Sequence, residues 1–426
     1  MKSMKHKKTL IVMAGMATML LGSVIPVHAE ENVYHYLTLH NESDAIYQAQ
    51  KAVEDLYRKE VNPDFRIERT VVSDRTAYLQ KLKTLVAAND MPDIFDEDAD
   101  PYVSKLASVG AVANIGDFLK EAGQYDAYVP VTLKYQTFDD GEMYLLPTAF
   151  NAEYFWYNKQ IFEDNNLELP KTMDELMEVC QKLKDAGITP ISVGSTDKWP
   201  LLRYLGQYPF RMTGNQFIED ASKGLESFTS DVGLAGINYL QKLGTNGYFQ
   251  EGFGAATNSD AIDYFLGGKA AIYYTGTWDL GLINESEIAD NISFFVLPMI
   301  DDAKTNENDM WAGGGTGICF KQETFDDEIQ NYLKFYNEHY GDFCFSEGGF
   351  FPPIETDLPE DVPALTAEVY NNMLTIGEYG KCWDVVLDSE TFDYMGNQAI
   401  SLALGQISAE DFAVEMDDTV QRNAVN

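Results

Sequence analysis

The first hundred residues alternate between two hydrophobic periods, and that alternation narrows the folds open to the chain. Residues 33–39, Val-Tyr-His-Tyr-Leu-Thr-Leu, are rich in β-formers. Ile46, Val53, Leu56 and Tyr57 then recur near the helical period, with Ser43 placed to cap the helix. Asn62–Pro63–Asp64 breaks it. Phe65–Val72 reads as a second strand and Arg75–Ala88 as a second helix. Met91–Phe95 reads as a short third strand running out into the acidic loop Asp96–Glu97–Asp98–Ala99–Asp100. A β-α-β-α-β succession calls for an α/β fold, its parallel sheet covered on both faces. Ligands of such sheets bind beyond the carboxyl ends of the strands, which singles out loops 40–43 and 96–100. The acidic loop is either a solvated turn, a set of acceptors for ligand hydroxyls, or a cation site.

The rest of the chain keeps the same vocabulary. Tyr154–Tyr157 is aromatic enough for a buried strand, after a crossover near 148–152. Thr172 and Glu175 form a capping box ahead of Met173, Leu176, Met177, Cys180 and Leu183, and Gly187 closes that helix. Thr189–Gly194 is a strand leading into a loop with Asp197, Lys198, Trp199 and Pro200. Residues 201–263 read as helices. Gly267–Gly268–Lys269 then turns into the apolar run Ala270–Tyr274, which ends at Gly276 and delivers Trp278 to a mouth or cleft. Trp311–Ile318 reads as a flexible glycine-rich joint running into a strand, and Ile329–Tyr340 as an amphipathic helix stopped by Gly341. The loop 348–353, helices over 364–376 and 389–404, and a last helix capped by Ser408 with Asp411 complete the pattern.

At 426 residues the chain is long enough for two domains. Residues 1–29 read as a secretory signal peptide: four lysines, an apolar stretch from Leu10 to Ile25 too short to span comfortably, and Val27–His28–Ala29 as the cleavage site. No cysteine stands at that junction for a lipid anchor. Cleavage leaves 26 Lys and Arg against 68 Asp and Glu, a net charge of −42. Such a chain repels nucleic acid and anionic lipid. The four cysteines fit no zinc motif: Cys180 sits on an apolar helix face, and Cys319 with Cys344 is the one pair considered for a disulfide. No metal or cofactor is expected.

Several segments then converge in order: Phe155–Lys159, Leu169–Thr172 with Glu175–Leu176, Gly187–Ile191, Gly267–Lys269–Ala270–Ala271 with Gly276 and Trp278, Val296–Pro298, Gly313–Gly315 and Ser408–Phe412. Together they resemble the extracellular sugar-binding proteins of ABC importers, the family that includes maltose-binding protein. The resemblance implies a two-lobed periplasmic-binding-protein fold of type II, with a ligand cleft between lobes joined by a multi-segment hinge. The implied lobes are 30–149 with 314–352, and 150–313 with 353–426. It also implies an extracytoplasmic, monomeric, non-enzymatic receptor that passes a mono- or oligosaccharide to membrane permease subunits.

The resemblance places Trp278 as the ring that stacks on a sugar face, with Trp383 as a second ring and Trp199 as a third, beside Asp197. Asn151 stands where maltose-binding protein has a glutamate. Asp96 and Asp98, or Glu97 between them, stand where relatives contact hydroxyls, and Asn41 and Glu42 in a first loop that touches ligand. Gly314 and Gly315 serve either close backbone approach or the hinge, and Gly276 is read as room for a bulky saccharide. Trp156 and Tyr157 read as core. Two rivals remain open. One is a receptor of the same fold for a polyamine or a metal, favoured by the acidity. The other is a secreted glycoside hydrolase, which needs two placed carboxylates that no local motif marks.

Overall fold

The computed structural model describes residues 33–348 and 350–424; the signal-peptide expectation for 1–29 and Gly349 of the 348–353 loop lie outside them. Among the described residues ten strands form two sheets: β1 Val33–Thr38, β2 Arg66–Val71, β3 Ile94–Glu97, β4 Asn151–Asn158, β5 Thr189–Ser192, β6 Ala270–Gly276, β7 Ile292–Phe295, β8 Met310–Gly313, β9 Gly317–Phe320 and β10 Tyr379–Gly380. The first sheet has the order β2-β1-β3-β9 and the second β10-β8-β4-β6-β5, with β7 also on β4. As the alternation requires, β1 pairs parallel with both β2 and β3. β9 closes the first sheet antiparallel to β3, with Glu97 opposite Gly317. The first sheet is therefore mixed, and its last strand arrives only after the second sheet has been laid down.

That order forces the chain to cross between sheets. Residues 146–151 go out, 313–318 come back, and 350–354 go out again. The first passage is hydrogen-bonded to each of the other two. Leu146 and Ile318 exchange backbone bonds of 2.9 and 3.0 Å, the Thr148 N–H donates to Gly314 at 3.0 Å, and the Phe150 N–H to Phe351 at 2.8 Å.

Each sheet has its own core. Around the first, Phe65 stacks on Tyr332 at 4.6 Å with Tyr57 edge-on to both. Around the second, Phe155 meets Phe295 at 5.0 Å and Tyr274 at 4.6 Å. Tyr154, Phe155 and Trp156 are fully buried, and Trp156 donates its indole N–H to the Thr275 carbonyl. The Met173–Asp185 helix carries the expected capping box and buries Met173, Leu176, Val179, Cys180 and Leu183.

Several local expectations are corrected. Asp44, not Ser43, is the N-cap of the Ala45–Glu60 helix; the Ser43 N–H and hydroxyl bond the Asn41 side chain instead. The helix after Asp326 runs through Gly341 to Phe343. There a Cβ would fall 2.2 Å from the Thr356 hydroxyl, so this glycine marks a close approach and not a stop. Met310–Gly313 is a buried strand and not a flexible joint. All four cysteines are buried and unpaired; Cys319 and Cys344 belong to separate core clusters.

Thr172→Ala removes the acceptor for the Glu175 N–H. It is expected to lower the free energy of unfolding by about 1 kcal/mol, read as a fall in the denaturant midpoint.

Candidate ligand-binding cleft

Both sheets aim the carboxyl ends of their strands at one cavity of about 420 Å³. From the first sheet come His40 after β1, Arg75 after β2 and Asp98 after β3. From the second come Asp197 and Trp199 after β5, Trp278 after β6, Gly315 after β8 and Asp384 after β10. Asn151 and Glu153 join them because β4 runs antiparallel to β6, which puts its start beside the end of β6. This is the crevice expected for α/β sheets, built twice and face to face. Lys83 on the first lobe meets Ser389 on the second across it, and Lys223 and Lys381 both reach Asp139.

Trp278 is 41% exposed, the most open of the large aromatic side chains in the cleft. Its ring lies back over Gly276. An ideal Cβ there would stand 2.1 Å from the ring edge, although the Gly276 backbone is ordinary extended chain. The glycine thus makes room for the tryptophan, not for a saccharide as the sequence reading had it. Trp199 stands edge-on to Trp278 with centroids 5.6 Å apart at 79°, and the Arg203 guanidinium lies 5.3 Å from the Trp199 ring centroid. With Arg203 against one ring, the stacking face offered to solvent belongs to Trp278. The turn before Trp199 is strained: Lys198 has φ +66°. Lys198 is held by a 2.7 Å ion pair to Asp393, its stem crossing Gly396.

The floor is charged. Arg203 Nε donates to both Glu153 oxygens at 2.9 and 3.0 Å, and Nη1 to Asp384 at 2.7 Å. Burial pushes the Glu153 carboxyl above its ordinary range, against the pull of Arg203. At Asp384 burial acts the same way, but the charge and hydrogen bond of Arg203 outweigh it and hold that carboxyl down. Removing one partner of such a buried pair typically costs about 3–5 kcal/mol. Arg75 bonds Asp98. His40 pairs with Asp44 at 3.6 Å through Nδ1, while its Nε2 has no hydrogen-bond partner. Burial lowers the His40 pKa, but the Asp44 hydrogen bond and the charges of Asp96 and Asp44 outweigh it, for a net rise.

The sequence-predicted residues divide. Trp278, Trp199, Asn151, Asp98, Asp197 and Gly315 line the cavity. Trp383 does not: it is 1% exposed, packed against Phe228 and Phe217 in the second core. Asp96 is a strand residue with no exposure, accepting from the Tyr36 hydroxyl at 2.5 Å, the Thr38 hydroxyl at 2.6 Å and the Leu39 N–H at 2.8 Å. It fastens β1 to β3 and has no surface for a ligand to reach. Glu97 is buried too, its pKa raised well above the usual range by burial and by Asp100 and Asp98. Asn41, Glu42 and Gly314 lie outside the lining; the Asn41 side-chain amide oxygen accepts from the Ser43 N–H and hydroxyl. Glu153, Arg203, Asp384, Arg75 and His40 were missed. The signal was there: an acid inside an aromatic strand, and an arginine inside the apolar run Pro200–Leu205. Among the described residues no three His, Cys, Asp or Glu side chains are grouped to hold a metal ion.

Two α/β lobes meeting around a cavity with an exposed tryptophan and polar side chains define a two-lobed solute-binding fold. The model of bacterial extracellular solute-binding proteins matches residues 41–336, and the chain belongs to that family. A multiple sugar-binding protein of Streptococcus mutans is 23% identical over 319 residues, 72% of each chain. An uncharacterized ABC transporter extracellular-binding protein of Pyrococcus horikoshii is 25% identical over 275 residues; the match spans 63% of this chain but only 60% of that protein. A structure from a study of xylan utilization by Caldanaerobius polysaccharolyticus superposes with a TM-score of 0.81 at 25% identity, covering 91% of this chain and 99% of that one. Among the described residues no helix is long and apolar enough to cross a membrane.

Two changes probe the Trp278 corner. Gly276→Ala drives a methyl group into the ring and is expected to displace it, seen as a changed near-ultraviolet circular dichroism spectrum. Asp279 accepts from the Thr275 and Tyr273 hydroxyls, yet burial raises its pKa to about 6. Folding then favours the protonated form, so this contribution is full below the unfolded carboxylate value and is lost as pH rises through about 6. Relative to Asp279→Asn, the native chain should gain about 2 kcal/mol of stability between about pH 7.5 and about pH 4.5, measured by denaturant unfolding.

Proposed function

We propose that this protein is an extracytoplasmic receptor that binds a carbohydrate between its two lobes and hands it to the permease of an ABC importer. The observation that carries this reading is the exposed Trp278 face at the mouth of a cavity whose other walls are hydrogen-bonding side chains. A pyranose has a face of C–H groups that an indole covers, and hydroxyls around its edge for Asp98, Asp197, Asn151 and His40 to bind. Lobes 30–149 with 314–352 and 150–313 with 353–426 close about the three crossing segments, a hinge motion of a known kind. The N-terminal residues export the chain, which acts as a monomer and without catalysis. The sugar-binding name of the Streptococcus relative supports the ligand class.

The acidic lining favours a second reading, a polyamine between carboxylates and rings. A thermal-shift screen of the chain from residue 30 onward, against neutral oligosaccharides, polyamines and divalent metals, separates the two, because a ligand of the folded state raises the melting point by mass action. A shift with polyamines alone selects the second reading. Trp278→Ala is expected to weaken the best saccharide at least about tenfold, or roughly 1.4 kcal/mol, with the melting temperature of the free protein little changed. Unaltered affinity by calorimetry removes Trp278 from the site.

A further inference from the structure

The charges around the cavity are unequal, and both guanidinium groups are already engaged; the His40 imidazole, paired through Nδ1 with Asp44, is a further group there that can carry positive charge. Four carboxylates line it, those of Asp98, Glu153, Asp197 and Asp384, against the guanidinium groups of Arg75 and Arg203. Arg203 spends its donors on Glu153 and Asp384, and its side chain is nearly sealed from solvent. Arg75 is more open but is bound to Asp98. Asp197 is exposed and accepts the Asn258 backbone N–H at 2.7 Å, and among the described residues it has no ion pair. A hydroxyl entering this cleft finds acceptors. A carboxylate or phosphate finds like charge at close range, and the chain as a whole, at −38, adds to the repulsion.

We propose that the cleft selects uncharged saccharides and rejects those bearing carboxylate or phosphate groups, and that Asp98 enforces the rejection by occupying Arg75. This rests on the carbohydrate reading above and narrows it to a chemical class. Selectivity here comes from repulsion as much as from fit.

The test uses the chain from residue 30 onward and matched pairs: xylotriose with its glucuronosyl-substituted form, galactotriose with trigalacturonate, and cellobiose with cellobionate. Calorimetry should show the neutral member of the recognised pair binding at least about tenfold tighter. Affinity for the anionic member should rise with added salt as the repulsion is screened. Asp98→Asn releases Arg75 and should narrow the ratio at least about tenfold, by gain of the anionic member. Asp197→Asn, which removes an exposed charge and disturbs no ion pair, should narrow it severalfold while leaving the fold intact. An anionic member that binds the native protein as tightly as its partner overturns the selectivity and leaves the carbohydrate reading standing. Ratios unmoved in both variants overturn the electrostatic cause. Silence from both members of every pair overturns the carbohydrate reading and this inference with it.

Discussion

The pairing of β9 with β3 is the constraint on which the rest of the structure depends. A first sheet completed by residues 317–320 cannot close until the chain has left, built a second sheet, and returned. The outgoing and incoming passages must then lie side by side, and they bond each other at Leu146–Ile318 and Thr148–Gly314. A third passage joins at Phe150–Phe351. Short, adjacent crossings leave the two sheets facing each other, strand ends toward one gap. The binding cleft is thus a consequence of connectivity before it is a consequence of any side chain.

Within that gap the side chains are held unusually firmly. Arg203 ties β4 to the helix Trp199–Thr213 and to the turn at Asp384, three elements far apart in sequence. Its guanidinium also backs the Trp199 ring, which in turn stands edge-on to Trp278. Buried ion pairs contribute little to net stability because desolvation offsets their attraction. Their effect here is positional: they fix the floor and the rings before a ligand arrives, which lowers the ordering cost of binding.

The fold was legible because period and punctuation are local. The β-α-β-α-β alternation, the Thr172–Glu175 capping box and the aromatic strand at Tyr154 each depend on a few neighbouring residues. Trp278, Trp199 and Asn151 were legible for a related reason, since each follows or begins a recognisable strand. Trp383 was misread because a tryptophan in a glycine-flanked segment looks the same whether it faces a cleft or Phe228 across a core. Asp96 was misread because its partners Tyr36 and Thr38 lie on β1, some sixty residues away, and only the β1–β3 register brings them together. The Arg203 network reaches 50 residues back to Glu153 and 181 forward to Asp384, so sequence showed its members only as charges in apolar company.

The chain has five tryptophans, and their burial is sharply graded. Trp156, Trp311 and Trp383 are sealed in the cores, Trp199 is partly buried beside Arg203, and Trp278 is the most exposed of the five. Emission from the sealed rings is a steady background set by their apolar surroundings. Whatever occupies the cleft changes the solvent most around Trp278, with Trp199 and the buried Trp311 also in the lining. The same glycine that lets Trp278 lie flat therefore gives the molecule its own optical gauge of occupancy, with no label attached.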